Sequence, residues 1–159
     1  MLIKSQDAER DGALNIAKLM LVAARTAPKA AGHDSITTAI LDGEDKDKLA
    51  NEMERAGKEK KNPRRIRDAG NVRNSDLVIL VGVKYGGEIS NELKLIDLGI
   101  AVGSAAKIAS GLNVDNRIMR SIGDVADSMK LLEADYSLGI PISIKGKNIY
   151  FDRPPVTTT

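Results

Sequence analysis

The sequence predicts an α+β layered domain, a central mixed sheet with helices on its faces. Three observations point there. Helical and strand-like patterns are interleaved along the chain rather than segregated. Leu77-Val78-Ile79-Leu80-Val81 is a continuous apolar run, the mark of a strand buried on both faces at the centre of a sheet. The long helical stretches on either side of it are rich in Ala and Gly, which suits an aliphatic core. At 159 residues the chain is long enough for one such domain and scarcely for two. Residues 1–159 are therefore read as a single domain, with 154–159 a frayed polar tail.

Taken in order, the first element is a helix beginning between Gln6 and Asp11 and ended by Pro28. Its segment Ala13–Ala27 is apolar enough to predict a mostly buried helix. Gly32 permits a turn, and Ser35–Leu41 is rich in β-branched residues, as a strand is. Asp42-Gly43 leads into a charged helix, Glu44–Lys61, with acids early and lysines late, in keeping with the helix dipole. Asn62-Pro63 reads as a cap and a proline at the first helical position, opening a short basic helix to about Asn71. The apolar run defines a strand over Asp76–Val83, and Tyr85-Gly86-Gly87 a loop. Ile89–Leu112 is helical, with Gly99 and Gly103 clearing one face for the close approach of another backbone at the centre of a domain or dimer. Ser121-Ile122-Gly123-Asp124 resembles a capping box opening a helix to about Leu132. Tyr136–Ile144 and Asn148–Phe151 read as a hairpin of two strands around Lys145-Gly146-Lys147.

Composition removes several function classes. The chain has no cysteine, which excludes disulfides, thiolate zinc sites, thiolate-held iron–sulfur clusters and a cysteine nucleophile. Aromatics are 3% of residues, too few for a nucleic-acid surface built on base stacking. A net charge of +2 with both signs mixed also disfavours a protein that tracks a phosphate backbone. His33 is the only histidine, so a metal site there would have to be completed by carboxylates; none is expected. No phosphate-binding glycine loop, dinucleotide fingerprint or serine-hydrolase elbow occurs. No stretch approaches the roughly 20 apolar residues of a membrane helix, and Met1–Asp7 does not have the pattern of a targeting segment. The expectation is a cytoplasmic protein that engages neither membrane nor nucleic acid.

Three places could carry chemistry. Arg25 and Lys29 bracket the hydroxyl of Thr26 where the first helix exits, a sensible corner for a phosphate or carboxylate. The alternative is that these cations only complement the helix dipole. Asn116 and Arg117, in the polar stretch Asn113–Arg117, could line a ligand with Arg117 clamping an anion; the alternative is an ordinary helix connection. Arg153 could reach back over a shared site or pair with a surface carboxylate. Arg64, Arg65 and Arg67 read as a solvated basic face, the alternative being contact with a nucleic acid or nucleotide.

Several segments together resemble a known family: Ala23-Ala24-Arg25-Thr26-Ala27-Pro28-Lys29-Ala30 with Gly32, Asp97-Leu98-Gly99-Ile100-Ala101 with Gly103-Ser104-Ala105, and Asp115-Asn116-Arg117-Ile118-Met119. Ser121-Ile122-Gly123 and the closing Gly139-Ile140-Pro141 and Gly146–Arg153 continue the likeness. On these the chain is identified as a member of the uncharacterised prokaryotic proteins labelled ferredoxin domain-containing. Typical members carry a cysteine cluster between the central strand and the small-residue helix. Here that interval, Lys84–Ser90, has no thiol, so the expectation is no iron–sulfur cluster. More distantly the layout is similar to flavin-dependent nitroreductases, whose flavin mononucleotide (FMN) sits in a dimer interface. Ala27-Pro28 match that family's helix-closing Ala-Pro-Ser, while Lys29 stands in place of the serine and Asp34-Ser35-Ile36 in place of a Gln-Pro-Trp. No counterpart of its phosphate-gripping Arg-x-Ser-x-Arg element is found.

That resemblance implies a nitroreductase-like homodimer holding FMN, with Arg25 and Lys29 neutralising the phosphate, Thr26 donating to it, and Asn116, Arg117 or Arg153 closing the site. The other reading is a non-catalytic ligand-binding or scaffold protein that has lost the family's cysteines.

Overall fold

The computed structural model describes residues 1–151; Asp152, Arg153 and the tail 154–159 lie outside the described residues. The chain opens with α1 (Ser5–Thr26), which ends where Pro28 withholds a backbone donor. A 3-10 turn, Ala30–Gly32, leads to β1 (Ile36–Leu41). Asp42 caps α2 (Gly43–Glu59) by accepting from Gly43 N. The Asn62 side chain accepts from Arg64 N and Arg65 N at the start of α3 (Pro63–Asn74), the expected cap with proline at the first position. There follow β2 (Leu77–Val83), α4 (Asn91–Gly111), β3 (Asp115–Asn116), α5 (Arg120–Ser128) and β4 (Tyr136–Ser143).

The four strands form one sheet in the order β1-β2-β4-β3. Ile36 faces Val83 across β1 and β2, Leu77 faces Ile142 across β2 and β4, and Asp115 faces Ser143 across β3 and β4. β2 is central and buried at all seven positions, as its apolar run predicts. Its side chains alternate between two cores. Leu77, Ile79, Val81 and Val83 pack with α1 and α4, while Val78 and Leu80 pack with α2, α3 and α5. The result is three layers, helix on sheet on helix, and the α+β class holds.

Several expectations are corrected. The sheet is antiparallel at each of its pairings rather than mixed. Helices connect the strands, and β2 and β3, which run in the same direction, are kept from pairing by β4 between them. The first helix is not mostly buried: Ala13, Ala17, Met20 and Ala24 form its inner stripe, and Leu19 and Val22 are exposed. Ser121 does not cap α5. It lies inside the helix, whose N-cap is Met119, and its hydroxyl donates to Asp68 at 2.6 Å. α5 ends at Ser128, short of Leu132. Residues 148–151 are a turn rather than a strand, because the Asn148 side chain accepts from Tyr150 N and Phe151 N. Gly99 and Gly103 lie on the exposed side of α4, with open space where a Cβ would stand, so the close approach expected of them is not made within this domain, and Ala101, Ala105 and Ala109 make the inner face.

Candidate ligand site

The exit of α1 is built from its own backbone. Pro28 breaks the helix, so its last carbonyls have no helical donors. The Lys29 ammonium turns back onto them, donating to Ala24 O at 3.1 Å, Ala27 O at 2.7 Å and Arg25 O. Thr26 Oγ1 donates to Val22 O at 3.1 Å. Arg25 leaves in another direction, donating to Asp34 at 2.6 Å and Ile36 O at 2.7 Å. Burial would push the Asp34 carboxyl up. The Arg25 hydrogen bond, the Ile36 N–H and the Arg25 and Lys29 charges outweigh it and hold Asp34 below its ordinary value. Behind the corner, Asp97 on α4 accepts from Ala30 N at 3.0 Å and fixes the turn in which Ala31 and Gly32 adopt positive φ. Arg25, Thr26 and Lys29 are thus neighbours in space, each donating to the protein itself.

Asn116 and Arg117 are adjacent yet face different surroundings. The Asn116 amide donates to Ser110 Oγ at 3.1 Å and Val114 O at 3.2 Å, holding β3 against the end of α4. Arg117 donates to Tyr150 O at 3.4 Å, and its guanidinium lies 5.3 Å from the Phe151 ring centroid. The structure separates Arg117 from the α1 corner and brings it to a different set of cations.

That set lines a groove of about 360 Å³ between α3 and the segment joining β3 to α5. Arg64, Arg65 and Arg67 come from α3; Arg117 and Arg120 come from the opposite wall. Asp68 and Asp124 are the carboxylates in the lining, and both are engaged. Asp68 pairs with Arg67 at 2.7 Å and accepts from Ser121. Asp124 pairs with Arg65 at 3.1 Å and with Arg120 at 2.7 Å. Arg120 also pairs with Asp127 at 2.9 Å and lies 3.7 Å from the centroid of the Tyr136 ring. Three features leave donors over. Among the described residues, Arg64 has no carboxylate partner and Arg117 reaches only a carbonyl and a ring. Arg65 Nε is buried without an acceptor. Five arginines against two already paired aspartates make the groove an acceptor of negative charge, with no free carboxylate for acid–base work.

Sequence reasoning placed Arg117 among the ligand candidates but treated Arg64, Arg65 and Arg67 as a solvated face. The signal was present in their number. What was missing is the β3–α5 segment, about fifty residues onward, that folds opposite them. Arg153 lies outside the described residues. Among those described, no group of His, Asp and Glu is arranged to hold a metal, and no helix is long and apolar enough to cross a membrane.

Residues 90–153 match the family described as uncharacterized proteins containing a ferredoxin domain (DUF2148). An uncharacterized protein of Archaeoglobus fulgidus is 37% identical, covering 98% of this chain and 99% of that protein. The chain belongs to this family. Its fold is nitroreductase-like. A protein of Desulfovibrio desulfuricans solved in complex with FMN superposes with a TM-score of 0.67 at 19% identity, covering 89% of this chain and 80% of that one. The FMN-dependent nitroreductase NfnB of Mycobacterium smegmatis, in complex with NADPH, gives 0.68 at 11% identity, covering 89% and 83%. A nitroreductase-like family protein of Bacillus cereus gives 0.64 at 13% identity, covering 91% and 78%. The family's ferredoxin label has no thiols to rest on in this chain.

Proposed function

We propose that this chain is a flavin-binding, nitroreductase-like oxidoreductase that takes FMN at the arginine groove. The observation that carries the reading is the buried Arg65 Nε without an acceptor, in a groove whose arginines outnumber its carboxylates, on a fold shared with a protein solved in complex with FMN. The donor set fits such a ligand, because FMN is anionic at its phosphate and presents acceptor atoms along one edge of its ring. Arg64 and Arg117 are the guanidiniums still available to it, Arg65 Nε offers one further N–H, and Phe151 supplies a flat apolar contact beside Arg117. FMN carries the electron or hydride chemistry itself when bound. The protein's share is then to bind, to orient and to neutralise charge, which suits a groove without a free general acid. Arg153, with Asn116 on the far side of Arg117, belongs to the proposed surroundings. Arg25, Thr26 and Lys29 would join them only by giving up their present bonds.

We further propose a cytoplasmic homodimer that pairs across the outer layer made by α1 and α4. There Leu19, Val22, Ile96 and Ile100 are all exposed, an apolar surface that association would cover. A second reading, ligand binding without catalysis, is favoured by the same shortage of free acid–base groups.

Flavin titration separates these. Excess FMN is expected to raise the melting temperature, since a ligand specific to the folded state must do so. Arg117→Gln should weaken FMN binding by about 1.5–3 kcal/mol, the scale of a hydrogen bond to a charged group. A melting temperature that does not move overturns the flavin reading. Bound flavin whose visible absorption fails to bleach with a nicotinamide reductant under anaerobic conditions leaves binding without catalysis.

A further inference from the structure

Of the polar stretch Asn113–Arg117, the arginine groove uses Arg117 alone. The residues before it line a separate pocket of about 370 Å³, with Asn148 and Phe151 of the turn 148–151 on its other side. The two cavities adjoin. Arg117 lines the groove, Phe151 lines the pocket, and the guanidinium lies 5.3 Å from the ring centroid. Each cavity alone is at the small end of ligand pockets, which span about 300–1,000 Å³. Their chemistry differs. Among the described residues the pocket carries no cation, its one charged residue is Asp115, and Asn113, Asn116 and Asn148 give it amides. Asp115 is half-buried, yet among the described residues no donor meets its carboxylate, whereas the buried Asp68 and Asp97 are both engaged. The Asn148 side-chain oxygen accepts from Tyr150 N and Phe151 N, which leaves its N–H groups over. Asn116 donates to Ser110 and to Val114 O and keeps its oxygen.

An unpaired acid, unused amide groups and an exposed ring suit a flat, uncharged group with a donor beside an acceptor along one edge. A purine base is such a group. Adenine gives its amino N–H to a carboxylate or amide oxygen, takes an amide N–H on a ring nitrogen, and stacks on an aromatic side chain. Asp115 repels a phosphate, which stays among the arginines. The flavin ring is a poorer occupant, because its edge would turn carbonyl oxygens onto the carboxylate. We infer that the ligand of the arginine groove is a flavin dinucleotide, an FMN unit joined through a second phosphate to a purine nucleotide whose base enters this pocket. The inference rests on the flavin reading above and names the ligand more closely. Arg117, at the border of the two cavities, is where the second phosphate passes from one to the other.

Calorimetric titration of the full chain with FMN and with flavin adenine dinucleotide (FAD) tests this. FAD is expected to bind roughly 5- to 100-fold more tightly than FMN, the worth of one base stacked on an aromatic side chain. Asp115→Ala removes an acceptor that the fold does not use, so the urea midpoint should stay in place while FAD affinity falls toward that of FMN. Asn148→Asp keeps the oxygen that holds the turn and removes the N–H donors, and should likewise lower FAD affinity more than FMN affinity. A preference for FAD that both variants retain comes from the second phosphate alone and overturns the base pocket. Equal binding of the two flavins overturns the dinucleotide and leaves the FMN reading standing. Binding of neither overturns both.

Discussion

At the exit of α1 the Lys29 ammonium is surrounded by carbonyl oxygens, where a helix end is negative and a cation is favoured. Its bonds to Ala24 O and Ala27 O take the place of donors that Pro28 cannot supply. A ligand anion would have to compete with these contacts for the same three N–H groups. Lys29→Ala is therefore expected to lower unfolding free energy by about 0.3–1 kcal/mol, the worth of a cation at a helix C-terminus. FMN affinity should stay unchanged, checked by urea unfolding and flavin titration of the same variant. A clear loss of FMN affinity would instead assign the ammonium to the ligand. The sequence displayed both uses of this residue, since Arg-Thr-Ala-Pro-Lys describes an anion corner and a capped helix equally well. Only the direction of the side chain decides between them, and direction depends on the backbone beyond Pro28. Arg65 is the converse case. Nothing in a run of arginines reveals that one Nε is buried without an acceptor, because Asp124, which turns its guanidinium, lies far along the chain.

At the scale of elements, the sequence was most legible where one local rule acts alone. β2 followed from its apolar run, and α3 from Asn62-Pro63. It was least legible around α5, where tertiary contacts override local signals. Ser121 has the identity of a cap but bonds to Asp68 of α3. β3 is two residues long and exists only because β4 pairs with it. Helix α5 meets the sheet through Gly123, where an added Cβ would fall 1.8 Å from Ser137 O. A backbone carbonyl within a central strand cannot move aside cheaply, so the helix would have to lift. Gly123→Ala is expected to destabilise the protein by about 3 kcal/mol, the upper end of ordinary overpacking, measured as a fall in the urea midpoint. A neutral result would mean that α5 is held less closely than its contact with Ser137 requires. Because α5 carries Arg120 into the groove, the variant should also weaken FMN binding.

At the scale of the molecule, the two sides of the sheet are packed differently. The α1/α4 side is filled largely by alanines and lets its helices lie close, whereas the other side encloses larger residues, among them Tyr150 with no exposed surface. Tyr150 belongs to the last turn of the described chain, yet its hydroxyl meets Ser75 Oγ at 2.7 Å, between α3 and β2. Burial pushes its phenol well above the ordinary range, and the hydrogen bond with Ser75 only partly offsets this. The same turn presents Tyr150 O and the Phe151 ring to Arg117. Core packing and the groove are therefore joined through one residue. Removing only the hydroxyl, Tyr150→Phe, takes away one buried hydrogen bond while Ser75 Oγ still donates to Asn71 O, and should cost about 1 kcal/mol of stability, with Arg117 still in place and FMN affinity intact. Tyr150→Ala empties a fully buried site and should cost about 3–5 kcal/mol. With the turn released, Arg117 loses its carbonyl and its ring, so FMN affinity should fall with stability. Urea unfolding and flavin titration on the two variants check this. If Tyr150→Ala loses stability while binding FMN as the parent does, Arg117 is not held by this turn, and the groove must be organised from its α3 wall.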